Sequence, residues 1–381
     1  MTQRASLRAG ALLAFVVVAG ACPGTRGASR GTRGPPRFGA PVVVVDEQGE
    51  PGQQPRPPTQ ILRAEHTVIV PLEGGPAELG ALIVRPHEGE RGPFLLIVPG
   101  GGDISRNGTR SGDGVALYGK PVDVGLAWAE AFAARGGQVL LWDKRTCGPN
   151  DDDACRKNPQ DDVDANGPIA LAKDVDAACA LARAQPSSDG RLVLFAHGQA
   201  AQVALSSTCA REASAIVLLA PIPRAIDEVL VDGLKDRTLA VERSARQQQD
   251  PAAKQPLLDQ AHKLKNLAGT REAEFASMKK DRFAPTARVN GATLAFWRGW
   301  MDVTAKTPSL VDAVKETTLV VLGGADLQYS EADRGRIRAL SPSGLVEVSG
   351  ADHHLLTHGT LSPATVDAVG AAIDELLAPG S

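Results

Sequence analysis

The chain has no surplus of positive charge: 41 Lys and Arg stand against 44 Asp and Glu, for a formal net charge of −3. A nucleic-acid partner needs clustered cations to neutralise phosphates, so none is expected. No apolar run approaches the about 20 residues that cross a bilayer as a helix. The glycine-rich turn at residues 100–108 is followed by neither G-x-G-x-x-G nor G-K-[ST], which argues against a phosphate cradle. The acidic triplet Asp151, Asp152 and Asp153 lacks EF-hand spacing and reads as a solvated loop, so no metal site is expected there. Nothing in the chain calls for a cofactor. Cysteine is scarce, five in 381 residues.

What is present begins with an exported-protein signature. Arg4 and Arg8 precede an apolar run over residues 9–21 that ends in Ala19-Gly20-Ala21 and is followed by Cys22. A basic start, a short apolar centre and small residues at the cut make a signal peptide over residues 1–21. Two cuts fit: ordinary A-x-A cleavage, or a lipobox in which Cys22 becomes the acylated first residue. The expected location is therefore the bacterial periplasm or outer membrane as a lipoprotein, with secretion as the alternative. The membrane is reached only through a lipid at Cys22. Apart from the short apolar run at residues 42–45, residues 22–60 are rich in Pro, Gly and Arg without a helical period, and the whole segment is expected to form a tether.

From residue 61 onward the composition is that of one large domain with ample material for a core, 43% of the chain being hydrophobic. Two β-rich runs at residues 67–71 and 79–84 predict an edge hairpin. Continuous apolar runs of strand length at 93–99, 138–143, 192–196, 215–220 and 318–322 predict parallel strands buried on both faces. Helical patterns at 122–135, 168–184, 331–340 and 363–377 alternate with them. That order predicts an α/β fold with a doubly wound, mostly parallel sheet. Residues 223–317 change to polar, Lys- and Gln-rich helices without strand-like runs, and Phe296, Trp297, Trp300 and Met301 supply most of their large side chains. Packing onto the core is the expected role of these four.

The organising stretch is residues 191–205, RLVLFAHGQAAQVAL. A buried strand turns sharply into a helix through small residues, the shape of a nucleophile elbow. At its tip stands Gly198, flanked by Ala196 and Ala200. This stretch resembles the Gly-His-Ser-Glu-Gly-Gly elbow of esterase and acyl-peptidase-like α/β-hydrolases. Residues 131–145, AFAARGGQVLLWDKR, are similar to that family's LAxRGxxVLRYDKRGxG pattern. The turn at 100–108 is similar to its oxyanion loop, and Gly323-Gly-Ala-Asp326-Leu-Gln328 to its G-x-x-D-x-Q turn.

The resemblance implies an α/β-hydrolase fold with a helical cap over the site, at about residues 223–317. It implies Asp326 as the acid of a triad, His353 as the base with His354 as fallback, and Gly198 where the serine would stand. Gly101 or Gly102, together with Gln199, would supply oxyanion donors. Asp143 and Arg145 are expected to pair with each other. With Cys22 lipidated, the remaining four cysteines allow three connectivities. Neighbouring helices in such a fold would join Cys179 to Cys209 and leave Cys147 with Cys155 in one loop; four reduced thiols are the alternative.

Glycine carries no atom that can form an acyl intermediate, so the covalent route is expected to be lost or much reduced. Three alternatives stay open. Asp326 and His353 could activate water. Ser105, Ser111 or Cys147 could supply a nucleophile from another loop. The cleft could bind a small acyl or ester-like ligand, or a protein partner, without chemistry.

Overall fold

The computed structural model describes residues 42–45, 60–73, 75–86, 91–100, 105–108, 122–145, 167–280, 288–289, 292–341 and 344–378. Its centre is a nine-stranded sheet. In chain order the strands are β1 (Val42–Val45), β2 (Ile61–Val70), β3 (Ala77–Pro86), β4 (Gly92–Val98), β5 (Gln138–Trp142), β6 (Ser188–His197) and β7 (Ala215–Leu219), then β10 (Thr318–Gly323) and β11 (Leu345–Val348). In space they run β1-β11-β10-β7-β6-β4-β5-β3-β2. All are parallel except β3, which lies antiparallel to both β2 and β5. A further antiparallel pair, β8 (Arg288–Val289) and β9 (Ala292–Thr293), stands apart from the sheet. The predicted hairpin is the β2–β3 pair: β2 begins six residues earlier than the sequence suggests, and β3 extends two residues further at each end.

The two-residue period of a strand sends alternate side chains into two cores. In β6, Leu192, Leu194 and Ala196 join one core, and Val193 and Phe195 the other. Helices α1 (Val124–Ala134) and α9 (Pro363–Leu377) cover the second core. There Trp128, Phe132 and Phe195 pack at ring separations of 5.0 to 5.5 Å. Helices α2 (Pro168–Ala184) and α3 (Gln199–Ser206) cover the first. Cys179 of α2 is bonded to Cys209, just past α3, across a Cα separation of 6.5 Å. Cys147, Cys155 and Cys22 lie outside the described residues.

The segment between β7 and β10 holds α4 (Ile226–Gln247), α5 (Pro251–Lys279), α6 (Leu294–Ala305) and α7 (Thr307–Asp312). Helices α4 and α5 form an antiparallel hairpin with a seven-residue stripe: Val231, Thr238 and Ala245 are buried on one arm, Ala261, Ala268 and Phe275 on the other. Such spacing is that of a coiled-coil seam. Its residues shrink from Phe275 at the base to Ala245 and Ala261 near the tip. At the base Trp297, Trp300 and Met301 are buried in the core that covers α2 and α3, the packing role expected of them. One more helix, α8 (Glu331–Ala339), connects β10 to β11. Among the described residues no helix is long and apolar enough to cross a membrane.

Two expectations need correction. The run at residues 42–45 lies within the segment assigned to a tether, yet it pairs in parallel with β11 as the sheet's last strand. Asp143 and Arg145 do not pair with each other. Past β5 the chain turns, and Arg145 reaches α2, where it bonds buried Asp174 at 2.8 and 3.0 Å. Asp143 faces the edge hairpin instead, 3.7 Å from Arg106.

Candidate active site

The elbow is built by close approach. Ala196, Ala200 and Ala201 are fully buried, so α3 starts hard against the strands. Gly198 takes φ 57° and ψ −120° at the tip, a left-handed conformation in which glycine alone sits without strain. Its N–H donates to the Leu219 carbonyl at 2.9 Å and fixes the tip to β7. A Cβ placed at 198 would stand 3.9 Å from His353 Nε2. Among the described residues no other atom beyond its chain neighbours comes within 4 Å of that point.

His353 and Asp326 meet on the same edge. Nδ1 of His353 lies 2.8 Å from Asp326 Oδ2, and the second carboxylate oxygen accepts the Gln328 N–H at 2.7 Å. The Asp326 side chain is fully enclosed, and that of His353 is 11% exposed. Burial works against the Asp326 charge, but the adjacent His353, its hydrogen bond, the Gln328 N–H and nearby His197 hold the carboxyl below its ordinary pKa. An ionised carboxylate only accepts, so the shared proton sits on Nδ1, and Nε2 is the ring nitrogen turned toward Gly198.

The two turns that carry this pair are locked together. Gly324 N–H donates to the Val348 carbonyl at 2.7 Å and Ala325 N–H to the Ala351 carbonyl at 2.8 Å. Arg334 of α8 donates to the carbonyls of Asp326 and Gly324 at 3.2 and 3.0 Å and to Glu347 at 3.2 Å. Asp352 accepts the N–H groups of His354 and Leu356 at 2.8 and 3.0 Å, shaping the loop that presents His353.

Sequence reasoning missed His197 and Tyr329. His197 Nε2 donates to the His353 carbonyl at 2.8 Å, and the two rings lie 4.6 Å apart. Tyr329 donates to the Ala220 carbonyl at 2.9 Å, with its ring 5.4 Å from that of His353. The available signals were position alone: His197 precedes the tip, and Tyr329 closes the acid turn. His354, the fallback base, is buried 5.1 Å from His197 and 5.3 Å from His353 by ring centroid, and it is His353 that bonds Asp326. Although three imidazoles gather here, no group of His, Cys, Asp and Glu among the described residues has the arrangement of a metal site.

Of the expected oxyanion donors, Gln199 opens α3, where a backbone N–H has no acceptor within the helix. Gly101 and Gly102 lie outside the described residues, as do Ser111 and Cys147. Ser105 is buried in a turn closed by the Gly108 N–H at 2.9 Å. Beside it Arg106 bonds Glu65 at 2.9 and 3.1 Å, fastening the end of the glycine-rich loop to β2. Burial lifts the Asp143 carboxyl to about 6, against the pull of Arg106 and helped by Glu65. Gln202 of α3 is fully buried and donates to the Ile222 carbonyl and to Thr307 Oγ1 at 2.9 and 3.0 Å, tying elbow to insertion.

A mostly parallel sheet in this strand order, with a sharp strand-to-helix elbow followed along the chain by an acid turn and a histidine turn, is the α/β-hydrolase fold. The chain is similar to a hypothetical protein from Pseudomonas aeruginosa at 16% identity and a TM-score of 0.51, over 83% of this chain and 94% of that one. It is similar to a peroxisomal alpha-beta-hydrolase from Saccharomyces cerevisiae at 14% identity and a TM-score of 0.46, covering 86% and 92%. A dienelactone hydrolase from Anabaena variabilis aligns at 15% identity and a TM-score of 0.43, covering 82% and 96%. Likeness at such identity is likeness of fold. No protein-family description matches the chain, and no curated protein matches it significantly.

Proposed function

We propose that this chain is an exported protein of hydrolase ancestry in which the covalent serine route is closed, and that its cleft holds a small acyl or ester-like ligand. The observation that carries the reading is at Gly198: the tip has no side chain, while His353 Nε2 points at the place a serine would fill. A lone Asp-His pair cannot form the acyl-serine intermediate, and loss of a triad nucleophile leaves only a residual factor of about 10³ to 10⁴ from binding and oxyanion contacts. The signal peptide and Cys22 support a place in the bacterial cell envelope. A second reading, water activated by His353, is favoured by the kept 2.8 Å bond to Asp326.

Hydrolysis of short-chain p-nitrophenyl esters separates the two. In steady state the full chain is expected to be no faster than its His353→Ala variant, and Gly198→Ser is expected to raise the rate at least ~100-fold. Sustained turnover by the unaltered chain that His353→Ala abolishes, with no acyl group left on His353, would establish the water-activating reading instead.

A further inference from the structure

Resting on the reading that this pair faces an acyl-binding cleft, we propose that His353 Nε2 is itself a nucleophile, accepting an acyl group directly from an activated ester or carbamate. Three features lead there. Asp326 accepts the hydrogen bond of the Nδ1 proton, so Nε2 is the ring nitrogen that can offer a lone pair. Among the described residues the only hydrogen bond of the His353 side chain is that one, which leaves Nε2 uncommitted, and the side chain is 11% exposed. In a serine enzyme the hydroxyl would stand between Nε2 and the substrate. Here a Cβ at 198 would already be 3.9 Å from Nε2, and with glycine that gap is open to an acyl carbon. Attack needs the reacting atoms about 3 to 3.5 Å apart, which the gap permits.

The step balances. The Nε2 lone pair bonds the acyl carbon, the carbon–oxygen bond breaks, and the aryloxide leaves with the electron pair. The acylimidazolium keeps its proton on Nδ1, hydrogen-bonded to Asp326, whose charge offsets the new cation. Water adds its oxygen to the same carbon, releases a proton to solvent, and the carbon–nitrogen bond breaks to return the imidazole; with Nε2 acylated no ring nitrogen serves as base for that water, so the step is slow and the acyl group accumulates. His197 is not the acceptor, because its Nε2 is committed to the His353 carbonyl.

The test uses p-nitrophenyl dimethylcarbamate, since a carbamoyl group on imidazole outlasts an acetyl group, with adducts located by peptide mass spectrometry. The full chain is expected to carry the carbamoyl group on His353 and on none of its other six histidines, and His353→Gln, checked as folded by circular dichroism, to lose it. In Gly198→Ser the group is expected to move to the side chain introduced at 198. An unmodified parent beside a Gly198→Ser variant carbamoylated at 198 would overturn the histidine nucleophile and leave the proposed cleft standing. If neither chain is modified, both readings fail.

Discussion

A side chain at Gly323 would have no place to go, since its Cβ would run into the carbonyl oxygens of Asp352 and Ala351. That contact brings the acid turn and the histidine turn together. Gly323→Ala is expected to cost about 2–4 kcal/mol, read from denaturant unfolding, by forcing the two turns apart. Gly198 differs: space is available, but φ is 57°. Gly198→Ser is therefore expected to lower stability by roughly 1–2 kcal/mol in denaturant unfolding, even as ester hydrolysis shows its gain. Asp143 offers a third, pH-dependent case. Its folded pKa of about 6 lies above the ordinary 3.8, so the folded state holds the proton more tightly. Stability from this group is full below about 4 and is lost as pH rises through 6. Measured against Asp143→Asn, the parent should lose relative stability between pH 4 and pH 7.

At the scale of elements, the Cys179–Cys209 bond joins α2 to the end of α3, enclosing a loop of sequence separation 30. Replacing both cysteines by alanine is expected to cost about 3–4 kcal/mol in denaturant unfolding, from the added freedom of the unfolded chain. The central strands were legible because β5, β7 and β10 are buried on both faces and so are apolar but for Gln138 and Thr318 at the start of β5 and β10. The hairpin was under-read because β2 carries Arg63, Glu65 and His66 in its sequence, which interrupt an apolar pattern while leaving the backbone free to pair. β1 was missed for the opposite reason: four valines announce a strand, but nothing local says that β11, some three hundred residues on, receives it. Gly198, Asp326 and His353 were readable as motif positions, and only the fold decides between His353 and His354 by the distance to Asp326. The partners of Asp143 and Arg145 were not readable, since each lies on a distant element.

Over the whole molecule, stability should be uneven. Strands β4, β6, β7 and β10 lie inside the sheet between two cores, whereas α5 buries only four residues along its 29. Native-state hydrogen exchange is expected to be slowest in those strands and fastest toward the tip of the α4–α5 hairpin. The sheet also ends in two different ways. On one side lies β2, where Arg63 bonds Glu130 and Glu65 bonds Arg106, so its outer margin is guarded by charge. On the other lies β1, four residues long and written entirely in valine. No described strand pairs with its outer side; a margin of that composition is a template for a second chain, and here its brevity is the defence, since four residues offer too few backbone groups to hold a foreign strand in register. Lengthening that valine run would turn this margin into a seed for self-association.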